Sequence, residues 1–145
     1  MIDKVIESAK VRIDKASLTL IVTTEPKTRR LISEVLITYA ILFLVQQYCA
    51  GFLKGIGLED RAIEDGKRTA AFLRKLKSGQ MKGADLEEEK KKTEAAIQDV
   101  RSKAITSSAK LEAEAYVEDT LVEAGAVREQ ARDVTQALSD IILND

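Results

Sequence analysis

The chain has 145 residues, 32% of them charged and 45% hydrophobic, with a formal net charge of −1, the profile of one globular domain rather than a disordered segment. Seven Gly and one Pro are too few for the many tight turns of an all-β protein, while Ala, Leu, Glu, Lys, Arg and Gln favour helix nearly throughout. Histidine is absent and Cys49 is the single thiol, which removes the commonest general base, the usual transition-metal ligands and any internal disulfide. An all-α helical bundle without cofactors is therefore expected.

Ile2, Val5, Ile6, Ala9 and Ile13 recur at helical spacing and predict a first helix over Ile2–Lys15. This amphipathic start lacks the basic-then-apolar layout of a signal peptide, so a cytoplasmic setting is expected. Ser17–Val22 is β-branched and reads as a short extended connector in preference to a continued helix. Thr23 and Thr24 then offer an N-cap, and Pro26 suits the first turn of a helix from Glu25 to Leu53, punctuated by Gly51 and Gly55-Ile56-Gly57.

That helix carries no charge from Val35 to Val45. A helix apolar all round must be enclosed by protein or by lipid. Leu31–Leu53 is long enough to cross a bilayer, but Ser33, Glu34, Gln46 and Gln47 fall inside it. The buried central helix is the preferred reading, and a membrane-associated protein using Leu31–Leu53 is the alternative. Cys49 reads as a small buried hydrophobe.

A further helix opens near Leu58-Glu59-Asp60, with Ala62, Ile63, Ala70, Phe72, Leu73 and Leu76 as its apolar stripe. Arg74, Lys75 and Lys77 crowd its last turn, Gly79 is the natural C′ residue, and Gln80–Ala84 forms a hinge. Asp85 reads as the next N-cap, with Glu88 completing a capping-box-like pair, and Glu87–Lys92 supplies Glu-to-Lys pairs along a solvated helix. Ile97, Val100, Ala104 and Leu111 give a thin seam, and Thr106-Ser107-Ser108 breaks or bends it. Ala113, Val117, Thr120, Ala124, Val127, Ala131, Val134, Leu138 and Ile141 then follow coiled-coil spacing. The chain accordingly divides into an apolar helical core, 1–82, and a charged helical extension, 83–145. Within the extension, Val127, Val134, Leu138 and Ile141 are expected to adhere to a partner or another copy.

Charge is graded along the chain. Residues 1–84 hold 15 Lys and Arg against 9 Asp and Glu, whereas residues 111–145 hold 2 against 9. Opposite patches of this kind guide head-to-tail association between copies. The cluster Lys67, Arg68, Arg74, Lys75, Lys77 and Lys82 is a candidate for phosphate contacts, but its one aromatic neighbour, Phe72, belongs to the apolar stripe. A solvated face is the plainer account, with a nucleic-acid-binding or regulatory module kept as an alternative. Glu59, Asp60, Glu64 and Asp65 suit a capped turn better than a metal site. No glycine-rich phosphate loop, nucleophile elbow or metal-ligand spacing occurs, so an enzyme is not expected.

Residues 31–80 resemble the head–tail adaptor (connector) proteins of tailed phages. The likeness lies in the strongly apolar helix Leu31–Leu53 and a short loop. It continues in a helix that begins Arg61-Ala62-Ile63-Glu64-Asp65-Gly66 and ends Phe72-Leu73-Arg74-Lys75-Leu76-Lys77-Ser78-Gly79. The resemblance implies a structural assembly protein, present as a ring of copies in the virion or the host cytoplasm. Its partners would be itself, a portal protein and tail or neck proteins, with incidental contact to the DNA that passes through the ring.

Overall fold

The computed structural model describes residues 1–23 and 32–144. Among these residues the fold is all-α: α1 (Ile2–Arg12), α2 (Lys15–Val22), α3 (Glu34–Gly55), α4 (Glu59–Ser78), α5 (Gly83–Arg101), α6 (Ser107–Glu123) and α7 (Arg128–Asn144). The expected helical bundle around one strongly apolar central helix is what forms. α3 is that helix, and every other element packs on it.

Ile41, Leu42, Leu44, Val45, Tyr48 and Phe52 of α3 are fully enclosed. Each such side chain contributes about 1.5–3 kcal/mol relative to exposure, so this one element dominates the core. Side-chain pairings fix the directions of its neighbours. Phe72 of α4 meets Tyr39 and Phe43 with ring centroids 6.2 Å apart, so α4 runs back along α3 from the turn after Gly55. Tyr39 donates to the Lys82 carbonyl (2.7 Å) and Gln46 donates to Glu89 (2.8 Å), which sets α5 parallel to α3. Gly55 lies against Ala109 and Gly51 against Ala113, which makes α6 antiparallel. Tyr48 and Ser139 share a 2.7 Å hydrogen bond that ties α7 to α3.

Several expectations are corrected. Ser17–Val22 is not an extended connector but most of α2. Asp14 caps it by accepting from Ala16 N–H (2.9 Å), and burial of Ser17, Leu18, Thr19, Ile21 and Val22 outweighs a β-branched penalty of a few tenths of a kcal/mol per residue. The expected cap at Thr24 and first-turn Pro26 lie outside the described residues. The central helix itself begins at Glu34 rather than Glu25, where Ser33 Oγ accepts from Leu36 N–H (3.3 Å). Gly51 does not end the helix, because it lies inside α3 against α6. Asp85 is not an N-cap. It sits in the first turn of α5, where its carboxylate accepts from Lys82 N–H at 2.8 Å, while Glu88 pairs outward with Lys92 (3.3 Å).

α4 and the start of α6 follow the sequence signals more closely. Gly79 takes a left-handed φ of 72° directly after α4, as its C′ assignment requires. The break falls earlier than Thr106-Ser107-Ser108, since α5 ends at Arg101, and Thr106 Oγ1 accepts from Ala109 N–H (3.0 Å) to cap the start of α6. The continuous seam beyond it does not exist. Gly125, with φ 108°, folds residues 107–144 into an α6–α7 hairpin. Residues 83–144, read as part of an extension, therefore supply walls of the bundle. Ile97, Val100, Ala109, Ala113, Val117, Leu121, Ala131, Val134, Leu138 and Ile141 all belong to the one core.

Candidate interaction surfaces

Three consecutive residues at the middle of α3 carry polar groups, and each engages a different neighbour. Gln46 donates to Glu89 and to Thr93 Oγ1 (2.9 Å) of α5, Gln47 donates to Thr120 of α6, and Tyr48 pairs with Ser139 of α7. Residues that interrupt a membrane span in the sequence thus serve as internal pegs. α3 is long and apolar enough to cross a membrane, yet 83% of its most apolar window is covered by the chain's own helices.

The buried ionisable groups of α3 are held neutral. Burial pushes the Tyr48 phenol up to about 12, with Glu114 and Asp140 adding to it against the Ser139 hydrogen bond. Burial likewise pushes the Cys49 thiol up, away from the thiolate that nucleophilic chemistry uses. An unfolded tyrosine ionises near 10, so stability should be intact below pH 10 and fall as pH rises from 10 towards 12. Denaturant midpoints across that range check the sign. Tyr48→Phe should flatten the fall while costing about 1 kcal/mol at neutral pH, because Ser139 Oγ is left buried without its partner.

The adhesive seam predicted at Val127, Val134, Leu138 and Ile141 is not an available surface. Val134, Leu138 and Ile141 are buried in the chain's own core, and only Val127, in the loop before α7, is exposed, at 69%. The acidic C-terminal helix docks within its own chain, where Asp140 pairs with Arg12 of α1 (3.0 Å). In the same last turn of α7, Arg101 donates through Nε to the Ile142 carbonyl (2.7 Å), completing a helix C-terminus.

The basic cluster fares differently. Lys67, Arg68, Arg74, Lys75 and Lys77 are all exposed on α4. Arg68 pairs with Asp65, and Lys75 reaches Asp85 (3.8 Å). Lys67, Arg74 and Lys77 have no ionic partner among the described residues. Two members of the expected stripe, Ile63 (57% exposed) and Ala70, share this outward side, while Thr69 takes an inward position instead. α4 packs almost wholly on α3, with ion pairs reaching α5 from Arg61 and Lys75. Between α4 and α5, a cleft of about 410 Å³ is floored by Cys49 and Leu53 and rimmed by Arg61, Asp65, Arg68, Lys91, Lys92 and Asp99. Arg61 and Asp99 close part of it with a 2.6 Å ion pair. A separate trough of about 330 Å³ runs along α3 and α6, walled by Glu112, Tyr116, Asp119 and Glu123 with Gln47 and Lys54. Lys54 Nζ stands 5.7 Å above the Tyr116 ring.

The close α3–α6 contact was missed by periodicity alone. A Cβ at Gly55 would stand 2.4 Å from Ala109 Cα, and one at Gly51 would stand 2.9 Å from Ala113 Cα. Two small residues four apart therefore face two others four apart, a spacing that lets helix backbones approach. The signal was present as Gly51-x-x-x-Gly55 and Ala109-x-x-x-Ala113. Among the described residues, no group of three or more His, Cys, Asp or Glu side chains is placed to hold a metal ion. Comparison with protein-family models, with curated proteins and with solved structures finds no match.

Proposed function

We propose that this protein is a structural assembly component, a helical module that works by associating with copies of itself rather than by catalysis. A ring of copies, as in the phage adaptors that residues 31–80 resemble, is the form this reading favours, with portal and tail or neck proteins as further partners and the virion or host cytoplasm as its place. The observation that carries it is α4. This helix packs its inner side on α3, reaches α5 through the Arg61–Asp99 and Lys75–Asp85 ion pairs, and turns Lys67, Arg74, Lys77 and Ile63 outward with no ionic partner for the three cations among the described residues. A row of unpaired cations around an exposed isoleucine supports a protein partner of complementary charge on this face.

Membrane association through α3 is the second reading, supported by that helix's length and composition. It requires the bundle to open, because the same residues form the core. Light scattering separates the two. The full chain should be soluble without detergent, show a mass that is a multiple of 16.0 kDa, and remain in the aqueous fraction when mixed with liposomes. A monomer at every concentration would count against self-assembly, and carbonate-resistant pelleting with vesicles would establish the membrane reading in its place.

A further inference from the structure

We infer that the α4 face of one copy docks into the acidic trough beside α6 of the next copy, forming a head-to-tail contact. The inference rests on the assembly reading and names its two surfaces.

The cationic side is Lys67, Arg74 and Lys77, spaced i, i+7, i+10 on α4, and none of them has an ionic partner among the described residues. The anionic side is Glu112, Asp119 and Glu123, spaced i, i+7, i+11 on α6, and these also lack an ionic partner there. Two acidic groups elsewhere on the C-terminal hairpin are engaged within the chain. Glu118 takes both Arg128 (2.8 Å) and Arg132 (3.3 Å), and Asp140 takes Arg12. The two unpaired rows are therefore opposite in sign and nearly equal in length, about 15 Å on α4 and about 16 Å on α6 at 1.5 Å rise per residue. Small residues sit between the charges on both sides, Ala70 and Ala71 on α4 and Ala115 on α6, so two helices can approach closely between the ion pairs.

Within one chain the rows do not meet, since no residue of α4 lines the trough. Two different patches on each copy give a heterologous contact, which closes into a ring when the rotation per subunit permits and otherwise propagates as a filament. A second copy is favoured over nucleic acid because the outer side of α4 turns acidic in its first half, at Glu59, Asp60 and Glu64, where a phosphate backbone would be repelled.

Charge reversal in the full chain tests this. Lys67→Glu, Arg74→Glu and Lys77→Glu together should raise the concentration needed for self-association at least about tenfold by sedimentation velocity, and Glu112→Lys, Asp119→Lys and Glu123→Lys should do the same. Unchanged circular dichroism checks that these surface variants still fold. An equal mixture of the two variants should associate again, because each supplies the complement the other lost. High salt should weaken the wild type and the mixture alike. If the wild type associates and neither reversal alters it, or if the mixture fails to recover, this contact is wrong while the assembly reading survives. A wild type that is monomeric throughout overturns both, and duplex DNA retarded only by chains with an intact α4 would assign that face to nucleic acid.

Discussion

Leu42→Asp or Leu44→Asp is expected to abolish soluble folding. Both side chains are fully enclosed in the sheath around α3, and the polar groups one turn on, Gln46 and Tyr48, are already committed to Glu89, Thr93 and Ser139. An isolated charge there costs several kcal/mol, and keeping the carboxyl protonated instead draws on the same stability. A domain of this size has about 5–15 kcal/mol in total. Val35→Asp on the same helix is the control. Val35 is 50% exposed, so its replacement should change stability by only about 0.5 kcal/mol. Expression in the soluble fraction and thermal unfolding read both outcomes, and wild-type-like melting of the Leu42 and Leu44 variants would refute enclosure of the helix.

Gly55→Val should be the next most damaging change. Its Cβ would fall 2.4 Å from Ala109 Cα and 2.9 Å from the Ser108 carbonyl oxygen, both backbone atoms that cannot swing aside. Overpacking usually costs about 1–3 kcal/mol, and a clash with backbone belongs at or above the top of that range. Gly51→Leu should cost a similar amount through Ala113 Cα and the Glu112 carbonyl oxygen. Gly66→Ala, in the interior of α4 with nothing within 4 Å of a new Cβ, should instead stabilise by about 0.5–1 kcal/mol. Urea midpoints for the three variants give the comparison, and equal midpoints for Gly55→Val and Gly66→Ala would remove the case for close α3–α6 packing.

What the sequence made legible follows from which signals are local. The charge-free run Val35–Val45 identified the central helix, because a helix without a polar side has few places to go. Gly79 and the basic turn before it marked the end of α4, and Thr106 marked the start of α6, since caps are set by neighbouring backbone groups. α2 was not legible, because its β-branched residues are helical only through burial against α3. The C-terminal seam was misread for a related reason. Alternating steps of three and four describe a buried stripe on one long helix and on two helices folded at Gly125 equally well, and only the tertiary structure distinguishes them. The exposed row Lys67, Arg74, Lys77 was visible as a basic cluster. Its division from the paired Arg68 and Lys75 depended on where Asp65 and Asp85 lie in space.

A cylinder that is greasy on every side has no preferred azimuth inside its sheath, so the apolar residues of α3 are nearly indifferent to its rotation. The degeneracy is lifted by Gln46, Gln47 and Tyr48, which point about 100° apart and find partners on three different walls, and by the notch of Gly51 and Gly55. A single residue inserted between Ser33 and Gln46 could leave those bonds in place only by turning the preceding half of the helix by that same angle. Such a turn carries Tyr39 off the Lys82 carbonyl and Phe43 off Phe72, contacts that side chains can partly re-form. One inserted between Tyr48 and Gly51 instead sets the pegs against the notch, where backbone atoms of α6 cannot give way, so length variation there should be the more harmful of the two.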